Sequence, residues 1–194
     1  MKIYGDLISG NCLKIKYTAD FLRLPYEWVP VDIMKGESRT PEFLARNPAG
    51  QVPVVELDDG RCIAQSNAII GYLAEGSALL PGDAYLRAKV YELMFWEQYS
   101  HEPYVAVCRF AMLYQGKTRE QREGWRVERG EAALNFMEAL LAGRSWFVGD
   151  SITIADIALL AYTRVAAEGG FDLNTRPAVS AWIQRCEQTL SIKA

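Results

Sequence analysis

In the first part of the chain, two segments with the apolar alternation of a β-strand flank one segment with the apolar spacing of a helix. Lys2–Asp6 and Tyr26–Asp32 alternate in the manner of β-strands. Between them, Asn11–Leu24 carries apolar residues mainly at helical spacing, and Pro25 ends that pattern. Because a strand–helix–strand connection is nearly always right-handed and parallel, these segments predict a βαβ unit.

The next segments predict a second, smaller unit. Thr40 is placed to cap a short helix at 41–46, since proline follows at its first position. Pro53–Glu56 and Arg61–Ala64 flank an Asp-Asp-Gly turn and predict a hairpin. A helix over Ser66–Glu75 follows. The order βαβ and then ββα is that of a thioredoxin-like α/β domain.

Beyond a stretch rich in Gly, Ser and Pro, only long helical patterns remain. They cover 84–114, where Pro103 should kink or interrupt the helix, 119–141, a segment from 153 onward, and 177–190. We therefore predict an α/β domain at 1–76, a linker at 77–83 and an all-helical bundle domain at 84–194.

One helix start in the second half carries a specific capping signal. Thr153-Ile154-Ala155-Asp156 resembles a capping box, in which the threonine accepts from a first-turn amide and the aspartate lies at the positive end of the helix dipole. Ile152 and Ile157 could form a hydrophobic staple across that turn.

Composition narrows the functional class. Half of the 194 residues are hydrophobic, which is enough for a sizeable core and argues against a disordered chain. The net charge of −3 argues against a nucleic-acid partner. The sequence shows neither a secretory signal nor an apolar run long enough to span a bilayer, so we expect no membrane contact. The four cysteines form no CxxC motif, and His101 is the sole histidine. We expect a cytoplasmic protein without a metal site.

Two neighbouring motifs carry the chemistry. In Asn47-Pro-Ala-Gly-Gln-Val-Pro-Val-Val55, the Val52-Pro53 step lies at the mouth of an apolar strand, where proline removes a backbone donor. If that peptide bond is cis, the Val52 amide and carbonyl turn outward and can pair with an extended peptide. Ser66 then opens a helix, and a helix start attracts anions. One peptide-like ligand with a carboxylate would satisfy both motifs.

These motifs resemble those of the glutathione transferase family, whose amino-terminal domain carries a similar NPxGxVPV segment and a similar [EQ]SxAI segment. The resemblance continues through Ser151–Asp156, so it covers nearly the whole chain. It implies a glutathione-binding α/β domain and a helical domain that holds a small hydrophobic electrophile. It also implies a homodimer in which glutathione is a co-substrate and no other cofactor is needed.

The loop before the first helix holds the candidates for thiol activation: Ser9, Asn11 and Cys12. Because only the thiolate is nucleophilic, a hydroxyl donor beside a helix N-terminus would favour the reactive form of glutathione. Ser9 is the first choice, since it matches the serine of theta-like members. Helix capping alone is the alternative role for Ser9, and Tyr4 is a rival hydroxyl. Cys12 could instead form a mixed disulfide, although a buried thiol is the commoner role.

The resemblance assigns the remaining contacts to glutathione. Backbone groups of Gln51, Val52 and Pro53 would contact the cysteinyl unit, and Gln65 with Ser66 would hold the γ-glutamyl carboxylate. The glycyl carboxylate would pair with Lys35 or Arg39, of which family position favours Lys35. Glu102, from the helical domain, could reach the amino group of glutathione. An alternative for Ser66 is an N-cap without a ligand.

The second-substrate pocket is less defined. Tyr99, Tyr104 and Arg109 could line it, whereas His101 fits a packing or surface role better than that of a catalytic base. The aromatic and sulfur side chains nearby are core residues first, namely Trp96, Phe110, Met112 and Trp125. Two alternative functions share the fold: a glutathione-dependent disulfide reductase or peroxidase, and a non-catalytic interaction protein similar to the stringent-starvation proteins.

Overall fold

The computed structural model describes residues 1–192 and divides into two compact units. The first comprises Met1–Ala78 and the second begins at Leu79. The boundary falls inside the predicted 77–83 linker, whose role as a linker stays a prediction. Lys193 and Ala194, the end of the predicted domain at 84–194, lie outside the described residues.

The first unit contains a four-stranded mixed sheet. Its strands are β1 (Lys2–Gly5), β2 (Glu27–Pro30), β3 (Val54–Glu56) and β4 (Cys62–Ala64). Their order across the sheet is β2-β1-β3-β4. β1 and β2 are parallel, as predicted, whereas β3 is antiparallel to both of its neighbours.

Three helices cover this sheet: α1 (Gly10–Phe21), α2 (Pro41–Arg46) and α3 (Ser66–Ala74). Tyr4 and Val54 pack with Phe43 of α2 on one face. On the other face a Cβ at Gly5 would lie 2.9 Å from the Cys12 sulfur, so α1 packs closely there. The Thr40 side chain caps α2 by accepting from the Phe43 amide at 3.3 Å, as the sequence indicates.

The second unit is all helical. It contains α4 (Ala84–Trp96), α5 (Glu102–Leu113), α6 (Gly124–Leu141), α7 (Ile154–Thr163) and α8 (Pro177–Thr189). The expected interruption near Pro103 takes the form of a π-helical segment, Glu97–His101, between α4 and α5. Proline then lies in the first turn of α5, where its missing N–H leaves no hydrogen bond unmade. No helix in the described part of the chain is both long and apolar enough to cross a membrane.

The predicted capping box anchors the core of this bundle. Every residue of α7 is buried. Asp156 accepts hydrogen bonds from the Thr153 amide at 2.9 Å and the Trp182 indole at 3.0 Å. The Phe147 amide donates to the same carboxylate at 3.2 Å. Asp156 therefore ties the start of α7 to α8 and to the loop before it.

Candidate active site at one end of the sheet

The sheet register brings three predicted segments to one end of the sheet. Tyr4 of β1 pairs with Val54 of β3, and Val54 pairs with Ala64 of β4. The residues beyond these pairs are therefore neighbours: the loop that leads to Ser9, the Val52-Pro53 step, and Gln65 with Ser66. The N-termini of α1 and α3 both lie at this end, which favours an anionic ligand.

Ser9 lies at the start of α1, but its hydroxyl does not cap the helix. Ser9 is the N-cap residue with an extended backbone, and its carbonyl accepts from the Leu13 amide at 3.0 Å. Its side chain makes no capping hydrogen bond. The geometry thus does not show the capping role that was the alternative for Ser9. The residue is half-buried at the start of α1.

Cys12 is placed where its sulfur is unreactive. The side chain is 0% exposed, and the Asp6 amide donates to its sulfur at 3.4 Å. Burial raises the pKa of the Cys12 thiol to about 11, although hydrogen bonds from Asp6 and Ser9 act in the opposite direction. Since the thiolate is the reactive form, the geometry argues against the interpretation of Cys12 as a catalytic residue.

A hydrogen-bonded network joins the first turns of α1 and α3. The Ser66 hydroxyl donates to the Asn11 side-chain oxygen at 3.1 Å. The ammonium of Lys14 lies 3.5 Å from the Ser66 hydroxyl and 3.3 Å from the Asn67 side-chain oxygen. Ser66 is 5% exposed and Lys14 is 0% exposed. The structure therefore brings the predicted residues Asn11 and Ser66 together above a buried lysine.

Sequence reasoning missed Lys14. A detectable signal was present, because Asn11, Lys14 and Thr18 recur at the spacing of one helix face. Thr18 is also fully buried, and its hydroxyl donates to the Lys14 carbonyl at 2.9 Å. A polar face on a helix that packs against a sheet indicates a buried hydrogen-bonded network, and this pattern predicts that Lys14 belongs to one.

Gln65 adopts a backbone conformation that costs free energy. Its φ is 71°, in the region that favours glycine, and its side chain is exposed. Such conformations cost about 1–3 kcal/mol and occur preferentially at ligand-binding sites. The strain lies next to Ser66, at the N-terminus of α3.

The Val52-Pro53 peptide bond is cis, and the loop before it is braced by side chains. The side-chain NH2 group of Asn47 donates to the Gln51 carbonyl at 2.7 Å. Arg39 donates to the Ala49 carbonyl at 3.1 Å, so this candidate for the glycyl carboxylate serves as a brace of the loop. The other candidate, Lys35, is 77% exposed and forms an ion pair with Asp32 at 3.1 Å.

Tyr4, the rival hydroxyl, lies on the α2 face of the sheet. Its hydroxyl donates to Glu56 at 2.8 Å, and its ring packs edge-on against Phe43. Burial and the hydrogen bond to Glu56 raise the pKa of Tyr4. Successive residues of a strand face opposite sides of the sheet, and a Cβ at Gly5 would face Cys12 in the first turn of α1. Tyr4 therefore faces away from the predicted thiol site.

The helical unit holds the other candidates. Glu102 is half-buried at the first residue of α5, and its contact with a ligand stays a prediction. His101 is fully buried and lies 3.0 Å from the Thr163 hydroxyl, in agreement with a packing role. Tyr104 accepts from Arg129 at 2.9 Å, and Arg109 forms an ion pair with Glu168 at 2.6 Å. Both side chains are thus engaged within the bundle.

Metal ligation has no support in the described part of the chain. Among residues 1–192, no group of three or more His, Cys, Asp or Glu side chains is arranged to hold a metal ion.

Comparison with known proteins identifies the family of this chain. Residues 8–75 match the family model for the N-terminal domain of glutathione S-transferases, and residues 95–189 match the model for the C-terminal domain. The chain is similar to a maleylacetoacetate isomerase from Rhizobium meliloti, with 35% identity over 95% of this chain and 90% of that protein. It is also similar to the glutathione S-transferase-like protein LUC7 of a Fusarium species, with 32% identity over 99% of this chain and 90% of that protein.

Solved structures extend this likeness to the fold. The crystal structure of a glutathione S-transferase from Pseudomonas fluorescens has 52% identity and a TM-score of 0.93, and the match covers 96% of this chain and 94% of that one. The predicted thioredoxin-like unit followed by a helical unit is confirmed. On these findings the chain belongs to the glutathione S-transferase family of enzymes.

Proposed function

We propose that this protein is a glutathione transferase that stabilises the thiolate of glutathione near Ser9 for attack on a small hydrophobic electrophile. The hydrogen bond between Ser66 and Asn11, at 3.1 Å, carries the proposal. It joins the start of the helix that would hold the γ-glutamyl carboxylate to the start of the helix that would activate the thiol. One tripeptide can therefore use both helix N-termini.

Each part of glutathione has a proposed partner. The γ-glutamyl carboxylate binds at Ser66 and the N-terminus of α3, with Gln65 beside it. Backbone groups of Gln51, Val52 and Pro53 pair with the cysteinyl unit. In this proposal Lys35 exchanges Asp32 for the glycyl carboxylate, and Glu102 takes the amino group. The exposed position of Lys35 supports this exchange, since exposed ion pairs contribute little stability.

Thiolate stabilisation supplies the chemistry. The thiol loses its proton to solvent, and the Ser9 hydroxyl donates to the resulting sulfur anion. The thiolate then attacks an electrophilic carbon, forming a carbon–sulfur bond while the leaving group departs with its electron pair. Lowering the thiol pKa by two units requires about 2.7 kcal/mol of differential stabilisation, which is within the reach of one charged hydrogen bond and a helix dipole.

A glutathione-dependent disulfide reductase with Cys12 as its nucleophile is not favoured, because that thiol is buried and its pKa is raised. Turnover of an aryl halide and of a glutathione mixed disulfide should be compared on the same preparation. We expect turnover of the aryl halide, together with retention on immobilised glutathione and elution by free glutathione. Retention without either turnover would contradict the proposed catalysis, and turnover of the mixed disulfide alone would indicate the reductase.

We further propose a cytoplasmic homodimer. Phe95 and Tyr99, four residues apart, are 76% and 81% exposed. Large exposed aromatic side chains that lie close together are typical of a protein–protein interface, which supports a dimer in which a second copy covers them. Cys12, Cys62, Cys108 and Cys186 are all free thiols, which supports a reducing compartment.

Replacing Ser66 by alanine should weaken glutathione binding. In this proposal the Ser66 hydroxyl turns from Asn11 to the bound carboxylate. Alanine removes that hydrogen bond, worth about 1.5–3 kcal/mol, so we expect KM for glutathione to rise roughly 10-fold to 100-fold. Steady-state kinetics with an aryl halide measure this. The matched control is Ser77→Ala, beyond the other end of α3, where the hydroxyl donates to the Ala74 carbonyl at 2.7 Å. Equal effects of the two variants on KM would contradict the assignment of Ser66.

A further inference from the structure

The helical unit contains a small pocket with a surplus of positive charge. Its volume is about 190 Å³, and it lies where the second half of α5 meets the start of α6. The charged side chains that line it are Lys117, Arg122, Glu123 and Arg126. Three cations face one carboxylate, so the pocket carries two excess positive charges in a chain whose net charge is −3.

Arg122 is held by neutral groups alone, whereas Arg126 shares its charge with Glu123. Arg122 donates to the backbone carbonyls of Arg119 and Gly169, both at 2.8 Å. Arg126 donates to the Pro103 carbonyl at 2.9 Å and pairs with Glu123. Backbone carbonyls orient a guanidinium but do not neutralise it. Within residues 1–192, the Nη2 group of neither arginine has a protein acceptor, so both can donate to a ligand.

The side chains that α5 contributes form an apolar wall of the pocket: Val107, Phe110, Ala111 and the buried thiol of Cys108. Phe110 is stacked on Tyr114 at 4.9 Å between ring centroids, which fixes a flat aromatic surface. Burial raises the pKa of the Cys108 thiol, while the Arg122 and Arg126 guanidiniums act to lower it. The positive potential of the arginines therefore extends to the apolar wall.

This arrangement selects one class of ligand. The Nη2 groups of the two arginines can each donate to an oxygen of a carboxylate, and an aromatic wall favours a flat apolar body. Lys117 is exposed at the rim, where its ammonium can attract anions from solvent. We infer that this pocket binds small carboxylates with an apolar, preferably aromatic, body. The inference is independent of the proposed glutathione chemistry, since it concerns binding within the helical unit alone.

Benzoate and its neutral isostere benzamide test this inference by calorimetry on the full chain. Because the two differ mainly in charge, we expect benzoate to bind about tenfold more tightly than benzamide. Added salt should weaken benzoate binding and leave benzamide binding nearly unchanged. Arg126→Gln and Lys117→Gln should each reduce the preference for benzoate, whereas Glu123→Gln should increase it, because it removes the single opposing carboxylate.

The matched control is Arg129→Gln, on the same helix but outside the pocket, where the guanidinium donates to the Tyr104 hydroxyl. This variant should retain the preference for benzoate. Lys117→Gln keeps the test valid if Arg126→Gln unfolds, since Lys117 is an exposed loop residue. Equal binding of benzoate and benzamide by the wild-type protein would overturn the inference. So would a preference that survives both pocket variants or is lost equally in Arg129→Gln.

Discussion

Replacing Ser9 by alanine is expected to lower kcat/KM for conjugation of an aryl halide by roughly 100-fold at neutral pH. Removal of one donor to an anion in an active site commonly has an effect of this size. Ser9 lies at the N-terminus of α1 with its hydroxyl outside the helix cap, so the helix should form without it. Steady-state kinetics and a thermal melt of both proteins measure the two effects separately.

The pH profile separates thiolate stabilisation from damage to the fold. If Ser9 lowers the pKa of bound glutathione, the alanine variant needs a higher pH to form the same fraction of thiolate. Its activity should therefore approach that of the wild type above about pH 8.5, the ordinary pKa of such a thiol. Cys12→Ala should retain turnover, because the Cys12 sulfur is buried. If Cys12→Ala lost turnover while Ser9→Ala retained it, the assignment of thiol activation to Ser9 would be wrong.

Replacing Asp156 by alanine is expected to lower the free energy of unfolding by about 3 kcal/mol or more. The change leaves buried donors from Thr153, Phe147 and Trp182 without their acceptor, at a cost of about 1–3 kcal/mol each before relaxation. For a chain of this length, a loss of 3 kcal/mol corresponds to a decrease in Tm of roughly 6–12 °C. Thermal unfolding followed by circular dichroism measures the decrease.

Asp156→Asn tests the mechanism more narrowly. An amide keeps one acceptor oxygen but places an NH2 group against N–H donors, so it should also destabilise the protein, though less than alanine. Asp150→Asn is the matched control, because Asp150 is exposed in the loop before α7. A Tm for Asp156→Asn equal to that of this control would show that the capping network contributes little to stability.

Local patterns predicted those parts of the fold that local physics determines. The capping box at Thr153 and Asp156 and the N-cap at Thr40 are encoded within four residues, and both form. The strand predicted to reach Asp32 ends at Pro30, because Pro30 pairs with Gly5, the last residue of β1. The predicted break near Pro103 was correct, but its π-helical form depends on packing within the bundle and has no local signature.

Long-range contacts explain what the sequence could not provide. The Lys14–Ser66 contact joins residues 52 positions apart, so periodicity within α1 could not identify Ser66 as a partner. Arg39 was considered as a ligand for a carboxylate, yet it braces the Ala49 carbonyl, which becomes its neighbour only after the loop has folded. The left-handed backbone of Gln65 also depends on how β4 is joined to α3. Residue types indicated the chemistry, whereas partner choice required the fold.

The most direct test is an ultraviolet titration of the thiolate of glutathione bound to the wild-type protein. We predict a saturable complex in which the apparent pKa of the bound thiol lies about two units below that of free glutathione. Formation of a complex whose thiol titrates at the pKa of the free tripeptide would contradict thiolate stabilisation at Ser9. Absence of any saturable complex would contradict the glutathione site itself.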